Sequence, residues 1–312
     1  MELRRLGRTG LRVSAVGLGT MTWGRDTDEH EAAEQLKVFL DAGGSLIDTA
    51  ATYSDGGALD IISSLLRDEV HRDDVVLAAR SGVADGRVDA SRRALLSSLD
   101  ETLRRLGTDH LDLWLVQAPD PGTPVAETAD TLAHAVGSGK VRYVGLANHA
   151  AWQVAQMATL LDGGVGLACT QTEISLLNRS SEHELIAASD ALGVGVIGWS
   201  PLGRGVLSAK YRHSVPADSR AASPHLRGFV EPYLTASARS VVEAVATAAD
   251  GLGRAPVEVA LAWARDAPGV SSVVVGARTP AQLRGALAAT DLDLPDEIRG
   301  ALDEVTQAIA GG

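Results

Sequence analysis

The feature that most restricts this chain is an alternation that runs almost its whole length. Short apolar runs rich in β-formers are separated by longer stretches with helical periodicity. Eight such runs can be read, at 15–20 (AVGLGT), 45–50 (SLIDTA), 75–80 (VVLAAR), 111–117 (LDLWLVQ), 141–148 (VRYVGLAN), 168–174 (ACTQTEI), 194–202 (VGVIGWSPL) and 271–277 (SSVVVGA). The first seven begin at intervals of roughly 26 to 36 residues, the length of one strand-plus-helix unit. Near-continuous apolar runs are what strands show when helices bury one side of a sheet and packed side chains the other. Eight strands alternating with helices fit a closed barrel or a doubly wound sheet. Between them, 88–107 carries Leu95, Leu99, Leu103 and Leu106 at spacings of three and four and ends at Gly107, a helix terminator. The segment 182–192 follows Ser180 and Ser181, which offer an N-cap. Helices are also predicted at 236–252 and 256–265, and a β-hairpin at 3–6 and 11–14, placed to cap a barrel's bottom.

The last interval is about twice the others. Its first part, 203–235, is polar and rich in Pro, Gly, Ser, Arg and His, so it reads as a long functional loop after the seventh strand. No composition shift marks a boundary, and one domain over 1–312 is expected. The formal net charge of −12 argues against nucleic acid or an anionic membrane as partner, though a small anionic ligand can still find a local basic pocket. Cys169 is the only cysteine, so no intrachain disulfide can form and a reducing compartment is the simplest setting. The opening MELRRLGRTG lacks the apolar core of a secretory signal, and no segment has the length and apolarity of a bilayer span. A soluble cytoplasmic protein is expected. The eight histidines are scattered, none in a ligand pair at helical spacing, so no metal site is predicted. The GxGxxG pattern at 193–198 precedes a strand instead of following one, and reads as a helix cap running into strand seven.

In a (β/α)₈ barrel the active site gathers at the C-terminal strand ends. Those ends carry Asp48, Arg80, Gln117, Asn148, Gln171, Trp199 with Ser200, and Gly276, Ala277 and Arg278, while Tyr53 follows the second strand closely. Contact with solvent alone would make any one strand end polar; successive ends converging on one mouth point to a site. Asp109, Asp112 and Asp120 flank the fourth strand and are read as loop caps.

At these residues the chain resembles the aldo-keto reductase family. The matching stretches are VGLGTMTWG, IDTAATY, LRRLGTDHLDLWLVQAPDP, GKVRYVGLANH, QTEISLLNR, WSPLGRGVLSAKY and VVVGARTPAQL, in order and over nearly the whole chain. The resemblance implies a single (β/α)₈ TIM barrel holding NADPH across its top, and hydride transfer to a small-molecule aldehyde or ketone. The family's catalytic group is an Asp, a Tyr, a Lys and a His. Asp48 and Tyr53 match; Arg80 stands at the Lys position and Gln117 at the His position. A tyrosine hydroxyl titrates near 10, and a neighbouring cation lowers that value and strengthens it as a proton donor. Arg80 keeps the charge and can pair bidentately with Asp48, but it cannot share a proton as Lys can, and Asp48, Tyr53 and Arg80 are expected to form one hydrogen-bonded cluster at the barrel mouth. Gln117 cannot titrate, though its amide NH₂ can bond a developing oxyanion.

For the cofactor, the resemblance implies that Asn148 and Gln171 hold the nicotinamide carboxamide and that Trp199 stacks on the ring. Ala147 stands where the family often has Ser. Ser200, Leu202, Gly203, Arg204 and Gly205 would wrap the pyrophosphate through backbone NH groups. Gly276, Ala277, Arg278 and Gln282 would hold the adenosine end, with Arg278 on the 2′-phosphate, a preference for NADPH over NADH. Ala286 replaces a common Asn there, and Gly19, Thr20 and Asp48 complete the set of residues against the cofactor. Trp23 is placed at the substrate pocket by the resemblance, with core packing as the alternative; Trp114, Trp152 and Trp263 are expected in or near the core. The leading reading is an NADPH-dependent carbonyl reductase with Tyr53 as acid. Two others stay open: an NADPH-binding protein with little reductase activity, and one turned to dehydration or epimerisation in a biosynthetic pathway.

Overall fold

All eight apolar runs become parallel strands of one closed barrel. The computed structural model describes residues 1–217 and 219–310, the side chains of 308–310 excepted. Asp218, inside the long loop, and residues 311 and 312 of the single-domain span lie outside the described residues. The chain opens with the antiparallel hairpin β1 (Leu3–Arg5) and β2 (Arg12–Ser14). The barrel strand β3 (Val16–Gly19) is followed by α1 (Glu29–Asp41), and β4 (Leu46–Ala50) by α2 (Gly57–Asp68). After β5 (Val76–Ser81) come a small hairpin, β6 (Val83–Ala84) and β7 (Arg87–Val88), and α3 (Arg92–Leu106). Then β8 (Leu111–Val116) leads to α4 (Val125–Gly137), β9 (Val141–Ala147) to α5 (Ala151–Leu161), and β10 (Cys169–Glu173) to α6 (Ala187–Leu192). Between β11 (Gly195–Trp199) and β12 (Val270–Val275) lie α7 (Arg227–Val230), α8 (Ala236–Leu252) and α9 (Pro256–Arg265); α10 (Pro280–Leu287) and α11 (Asp296–Ala310) finish the chain. Around the barrel the order is β3, β4, β5, β8, β9, β10, β11, β12 and back to β3.

Two packed layers hold this arrangement. Inside the barrel, Leu46, Ala78, Leu113, Leu115, Cys169, Ile197 and Val274 form one apolar plug, closed from below by Leu6 and Val13 of the hairpin segment. Outside, the helices lay their apolar faces on the strands, as Leu95, Leu99, Leu103 and Leu106 do for α3. Each fully buried leucine contributes about 1.5–3 kcal/mol. The hairpin caps the bottom because the backbone passes very close there: Arg8 N donates to Gly193 O at 2.8 Å.

Several local expectations change. α3 starts at Arg92, not 88, because Ser91 takes the N-cap role and Val88 pairs with Val83 in the small hairpin. Ser181 does not cap: its backbone is already helical, its hydroxyl donates to Glu173 O, and Glu182–Ile186 form a wider π-helical turn ahead of α6. Gly193 closes α6 in the left-handed conformation and the chain runs straight into β11. The long loop contains helical turns at Gly203–Ser208 and Glu231–Tyr233 besides α7. Trp114 and Trp263 are core residues, but Trp152 is 67% exposed. Trp23 is fully buried, donating to Gln35 Oε1 at 3.1 Å, so it packs in the core and does not line the cleft described below. Among the described residues no helix is long and apolar enough to cross a membrane.

The barrel tolerates little extra volume between β9 and β10. A Cβ on Gly145 would sit 2.7 Å from Cys169 Sγ and 2.9 Å from its carbonyl oxygen. Gly145→Ala is expected to lower stability by about 1–3 kcal/mol, read as a lower urea midpoint with an unchanged slope.

Candidate active site

Period-two geometry delivers the site. Successive strand side chains alternate faces, so a residue two places beyond a plug residue points into the barrel one layer higher. Leu46, Ala78, Leu115, Cys169, Ile197 and Val274 form the plug. Two residues on, the same strands or their ends present Asp48, Arg80, Gln117, Gln171, Trp199 and Gly276. Tyr53 comes from the turn after β4, where Ser54 and Asp55 are both left-handed with φ of 52° and 53°. Arg105 of α3 braces that turn, donating to Asp55 O at 3.0 Å while pairing with Asp60.

These groups form one buried network. Arg80 Nη2 donates to Asp48 Oδ2 at 3.0 Å and also to the Tyr53 hydroxyl. Arg80 Nη1 donates to Gln171 Oε1 at 2.8 Å, and Gln171 Nε2 donates to Asp48 Oδ1 at 2.8 Å. Asp48, Arg80 and Gln171 are only 2%, 7% and 1% exposed. Asp48, Arg80 and Tyr53 thus form the expected cluster, with one hydrogen bond between Asp48 and Arg80 instead of the bidentate pair open to them. The fork is opened by Gln171, which takes one arm and returns a donor to the second carboxylate oxygen. Burial lifts Asp48 above the usual carboxylate range, with Arg80 and Gln171 pulling the other way. Burial also opposes the charge on Arg80, but Asp48 and Tyr53 outweigh it and the guanidinium is held more firmly protonated. Tyr53 moves opposite to the simple expectation from a neighbouring cation. Burial pushes its phenol above the ordinary value, Asp48 adds to the rise, and the Arg80 charge only partly offsets them.

Above the network lies a cleft of about 490 Å³, within the usual range for small-molecule sites. Asp48, Tyr53, Arg80 and Gln117 line its inner end. Gln117 Oε1 is buried with no hydrogen-bond partner among the described residues, and Gln117 O accepts from Asn148 Nδ2 at 2.9 Å. Asn148 Oδ1 in turn accepts from Trp199 Nε1 at 3.0 Å, fixing the indole at the wall. Asn148 and Ser200 are left-handed non-glycine residues, φ 61° and 53°, a conformation that concentrates at functional sites. Gly19, Trp199, Ser200, Leu202, Arg204 and Gly205 line the middle; Gly276, Ala277, Arg278 and Gln282 line the far end. Gln282 Oε1 accepts from Arg278 N at 3.0 Å, so the two are coupled locally. Three candidates do not line the cleft. Thr20 is buried and grips Asp48 O through both its amide and its hydroxyl; Gln171 sits beneath in the network; Gly203 is buried under the loop.

The Arg204 side chain faces away from a simple loop role. It pairs with Glu173 through Nε at 3.0 Å and Nη2 at 2.8 Å, and donates to Phe229 O at 2.7 Å. Its guanidinium lies 4.3 Å from the Phe229 ring centroid and 4.9 Å from that of Tyr233. Lys210, Arg220, Phe229 and Met21 also line the cleft, and no motif in the sequence singles them out. Lys210 stood in the quoted stretch WSPLGRGVLSAKY; Arg220 had no signal beyond a basic loop.

The chain belongs to the Aldo/keto reductase family, whose model matches residues 15–307. It is 35% identical to the uncharacterized oxidoreductase YrpG of Bacillus subtilis, over 98% of this chain and 96% of that protein. It is 32% identical to a probable voltage-gated potassium channel subunit beta of rice, Oryza sativa subsp. japonica, over 99% and 97% of the two chains. It is 31% identical to the L-glyceraldehyde 3-phosphate reductase of Escherichia coli O157:H7, over 91% and 86%.

Replacing Arg80 by an apolar side chain would strand Asp48. Arg80→Met is expected to cost about 3–5 kcal/mol near neutral pH. Because burial already raises Asp48, the stranded carboxyl folds best protonated. The penalty is then smallest in the acid range and grows as pH rises through the elevated folded-state value. Urea midpoints of both proteins from acid to neutral pH check this; a pH-independent difference contradicts it.

Proposed function

We propose that this protein is an NADPH-dependent reductase, converting a small-molecule aldehyde or ketone to an alcohol in the cytoplasm. The observation that carries the reading is the Tyr53 hydroxyl at the inner end of the cleft. Arg80 donates to its oxygen, which leaves the phenolic proton available to a bound carbonyl. The cleft suits a dinucleotide. Arg204 and Gly205, φ 57° and 95°, turn the backbone of the loop, and a Cβ on Gly205 would approach Lys210 Nζ at 3.3 Å. Lys210, Arg220 and Arg278 make the outer part of the cleft cationic within an acidic protein.

Bound there, the reduced nicotinamide supplies hydride. This chain's residues do the rest. Trp199, held by Asn148, offers a flat face, and the loop after β11 offers amides to phosphate. Gln117 can present its amide NH₂ to the carbonyl oxygen as negative charge grows there. Tyr53 delivers the proton, and its raised value keeps that proton in place through neutral pH. Arg80 returns positive charge to the phenolic oxygen as it becomes an anion.

A second reading has a specific observation behind it. Gln117 cannot titrate, and the rice protein that matches over nearly the whole chain is named as a probable voltage-gated potassium channel subunit, so a cofactor-binding protein with slow turnover is the alternative. Stopped-flow mixing of the NADPH complex with a panel of aldehydes separates the two: no cofactor oxidation despite tight binding favours the alternative.

NADPH is expected to bind roughly tenfold to hundredfold more tightly than NADH, the worth of one charge-assisted phosphate contact. Arg278→Ala should remove most of that difference and leave NADH affinity nearly unchanged; equal calorimetric affinities for the two cofactors in the parent contradict the assignment. Tyr53→Phe should abolish carbonyl reduction with NADPH affinity intact, since the hydroxyl acts only in the transition state. In the parent, kcat should stay level through neutral pH and fall only above the ordinary tyrosine range. A kcat that falls on the alkaline side below that range would contradict Tyr53 as acid.

A further inference from the structure

The Tyr53 hydroxyl is held by the network below it, but the backbone that carries it is an uncommon one. Ser54 and Asp55 are left-handed at φ 52° and 53°, and Gly56 follows at 87°. A left-handed backbone is costly for each residue with a Cβ, and two in succession persist only where the surroundings hold them. Within the turn, the Gly57 amide bonds back to Tyr53 O and Ser54 O, while Ser54 Oγ is buried with no hydrogen-bond partner among the described residues. The side-chain bond to the turn's backbone comes from outside. Arg105, near the end of α3 in the outer layer of helices, donates through Nη1 to Asp55 O at 3.0 Å. Its Nε and Nη2 grip both oxygens of Asp60, in the first turn of α2, at 2.9 and 2.5 Å. We infer that Arg105 is a positioning residue for Tyr53. From outside the barrel it clamps the left-handed turn to the start of α2, and so holds the phenol at the inner end of the cleft.

Gly56 makes room for the clamp. A Cβ there would lie 1.7 Å from Arg105 Nη1, so the guanidinium packs against the Gly56 α-carbon, and a side chain at 56 would push it off Asp55 O. Arg105 does not act on the phenol through its charge: the charged groups that do are Arg80, Asp48 and, from the long loop, Arg220. Its influence runs through the backbone. The Arg105 side chain keeps 25% of its surface accessible and that of Asp60 58%, and an ion pair so exposed adds little to stability by itself. A pair worth little to the fold, aimed at the carbonyl two residues beyond the phenol, serves placement. Placement matters there, because a shift of about 1 Å in a reacting group can cost roughly a hundredfold in rate.

The inference rests on the reductase reading for its kinetic test but not for its exchange and titration tests. In Arg105→Met the turn should relax. Amide hydrogen exchange in a peptide covering 53–57 should quicken roughly tenfold or more while the barrel strands keep the parent's rates. The midpoint for tyrosinate formation at Tyr53, taken as the difference in ultraviolet absorbance against a Tyr53→Phe control, should fall toward the ordinary tyrosine value as burial is relieved. The kcat for carbonyl reduction should fall roughly tenfold to hundredfold, with NADPH affinity, from fluorescence titration, within about twofold of the parent. Arg105→Lys keeps a cation able to reach either partner and should restore part of both kcat and exchange protection. If the Met variant does not fold, Asp60→Asn, which leaves Arg105 its charge but loosens its aim, carries the same directions of change. The inference is overturned if exchange at the turn and kcat both stay at the parent's values. It is also overturned if NADPH affinity falls in step with kcat, because the defect then reaches the cofactor. Exchange that quickens equally through α3 and the barrel, with the tyrosinate midpoint unmoved, overturns it too, since that is a general loss of stability. A parent protein that reduces no carbonyl sinks the reductase reading alone, and exchange and the tyrosinate midpoint still decide the role of Arg105.

Discussion

A charged pair sealed inside the barrel mouth governs this molecule. Asp48 and Arg80 are almost wholly removed from water, and burial on its own would disfavour charge on both. Each is therefore held by several hydrogen bonds, though Arg80 Nε has no partner among the described residues. Asp48 Oδ1 receives Gln171, Oδ2 receives Arg80, and the backbone carbonyl of Asp48 receives Thr20 twice. These partners come from β3 or its end, β4, β5 and β10, so the pair can exist only if the barrel is closed and in register. The β4–β5 ladder that sets Asp48 beside Ala78 and Ala50 beside Arg80 is part of the same requirement. Fold and site are in this sense one constraint.

A second, partly exposed charge organises the other side of the cleft. Arg204 draws together Glu173 at the end of β10, the carbonyl of Phe229 in α7 and the rings of Phe229 and Tyr233. Its own backbone is left-handed, which helps turn the segment 203–208 toward the cleft. One side chain thereby ties the loop after β11 to the barrel and to the far end of the long excursion. His225 ties the middle of the excursion to the first barrel loop through Asp26 at 3.1 Å. Segments distant in sequence become one wall of the cleft through these polar contacts together with the burial of Val206, Leu207, Ala221 and Val230 in the core.

That division explains what could be read from the chain alone. The strands were legible because burial on both faces leaves a continuous apolar run, and a run of that kind has few alternatives. The strand-end groups were legible because a (β/α)₈ barrel puts chemistry there, and Asp48, Arg80 and Gln117 duly share the cleft. Details set by competition were not. Ser181 looked like a cap, but its hydroxyl found Glu173 O first. The start of α3 lay between Val88, which pairs with Val83, and Ser91, which caps. Trp152 carries no local sign that its ring faces solvent. Asp48 and Arg80 share one hydrogen bond where two were open to them, and Gln171, ninety-one positions on from Arg80, bonds the remaining arm and the remaining oxygen. Arg220 reaches the cleft across fifty-six positions to Gly276 O, a contact no local pattern encodes.

By resemblance Arg80 and Gln117 stand at the family's Lys and His positions, and on that reading they share a physical consequence. Both replace a side chain that can exchange a proton near neutral or moderately alkaline pH with one that cannot: guanidinium stays charged and a carboxamide stays neutral. The inner end of the cleft then sets a fixed charge and a fixed dipole beside two exchangeable groups, the Tyr53 phenol and the Asp48 carboxyl. At positions 80 and 117 the electrostatics cannot be adjusted by titration, so there they must be correct by geometry. Geometry here means the angle of one guanidinium plane, which three hydrogen-bonded partners determine. A lysine chain rotates about its terminal bonds and finds its partners from many angles; an arginine fork is productive from few. The closed network beneath Tyr53, with its intervening amide and its buried carboxylate, follows from putting a planar cation where a spherical one would have been tolerant.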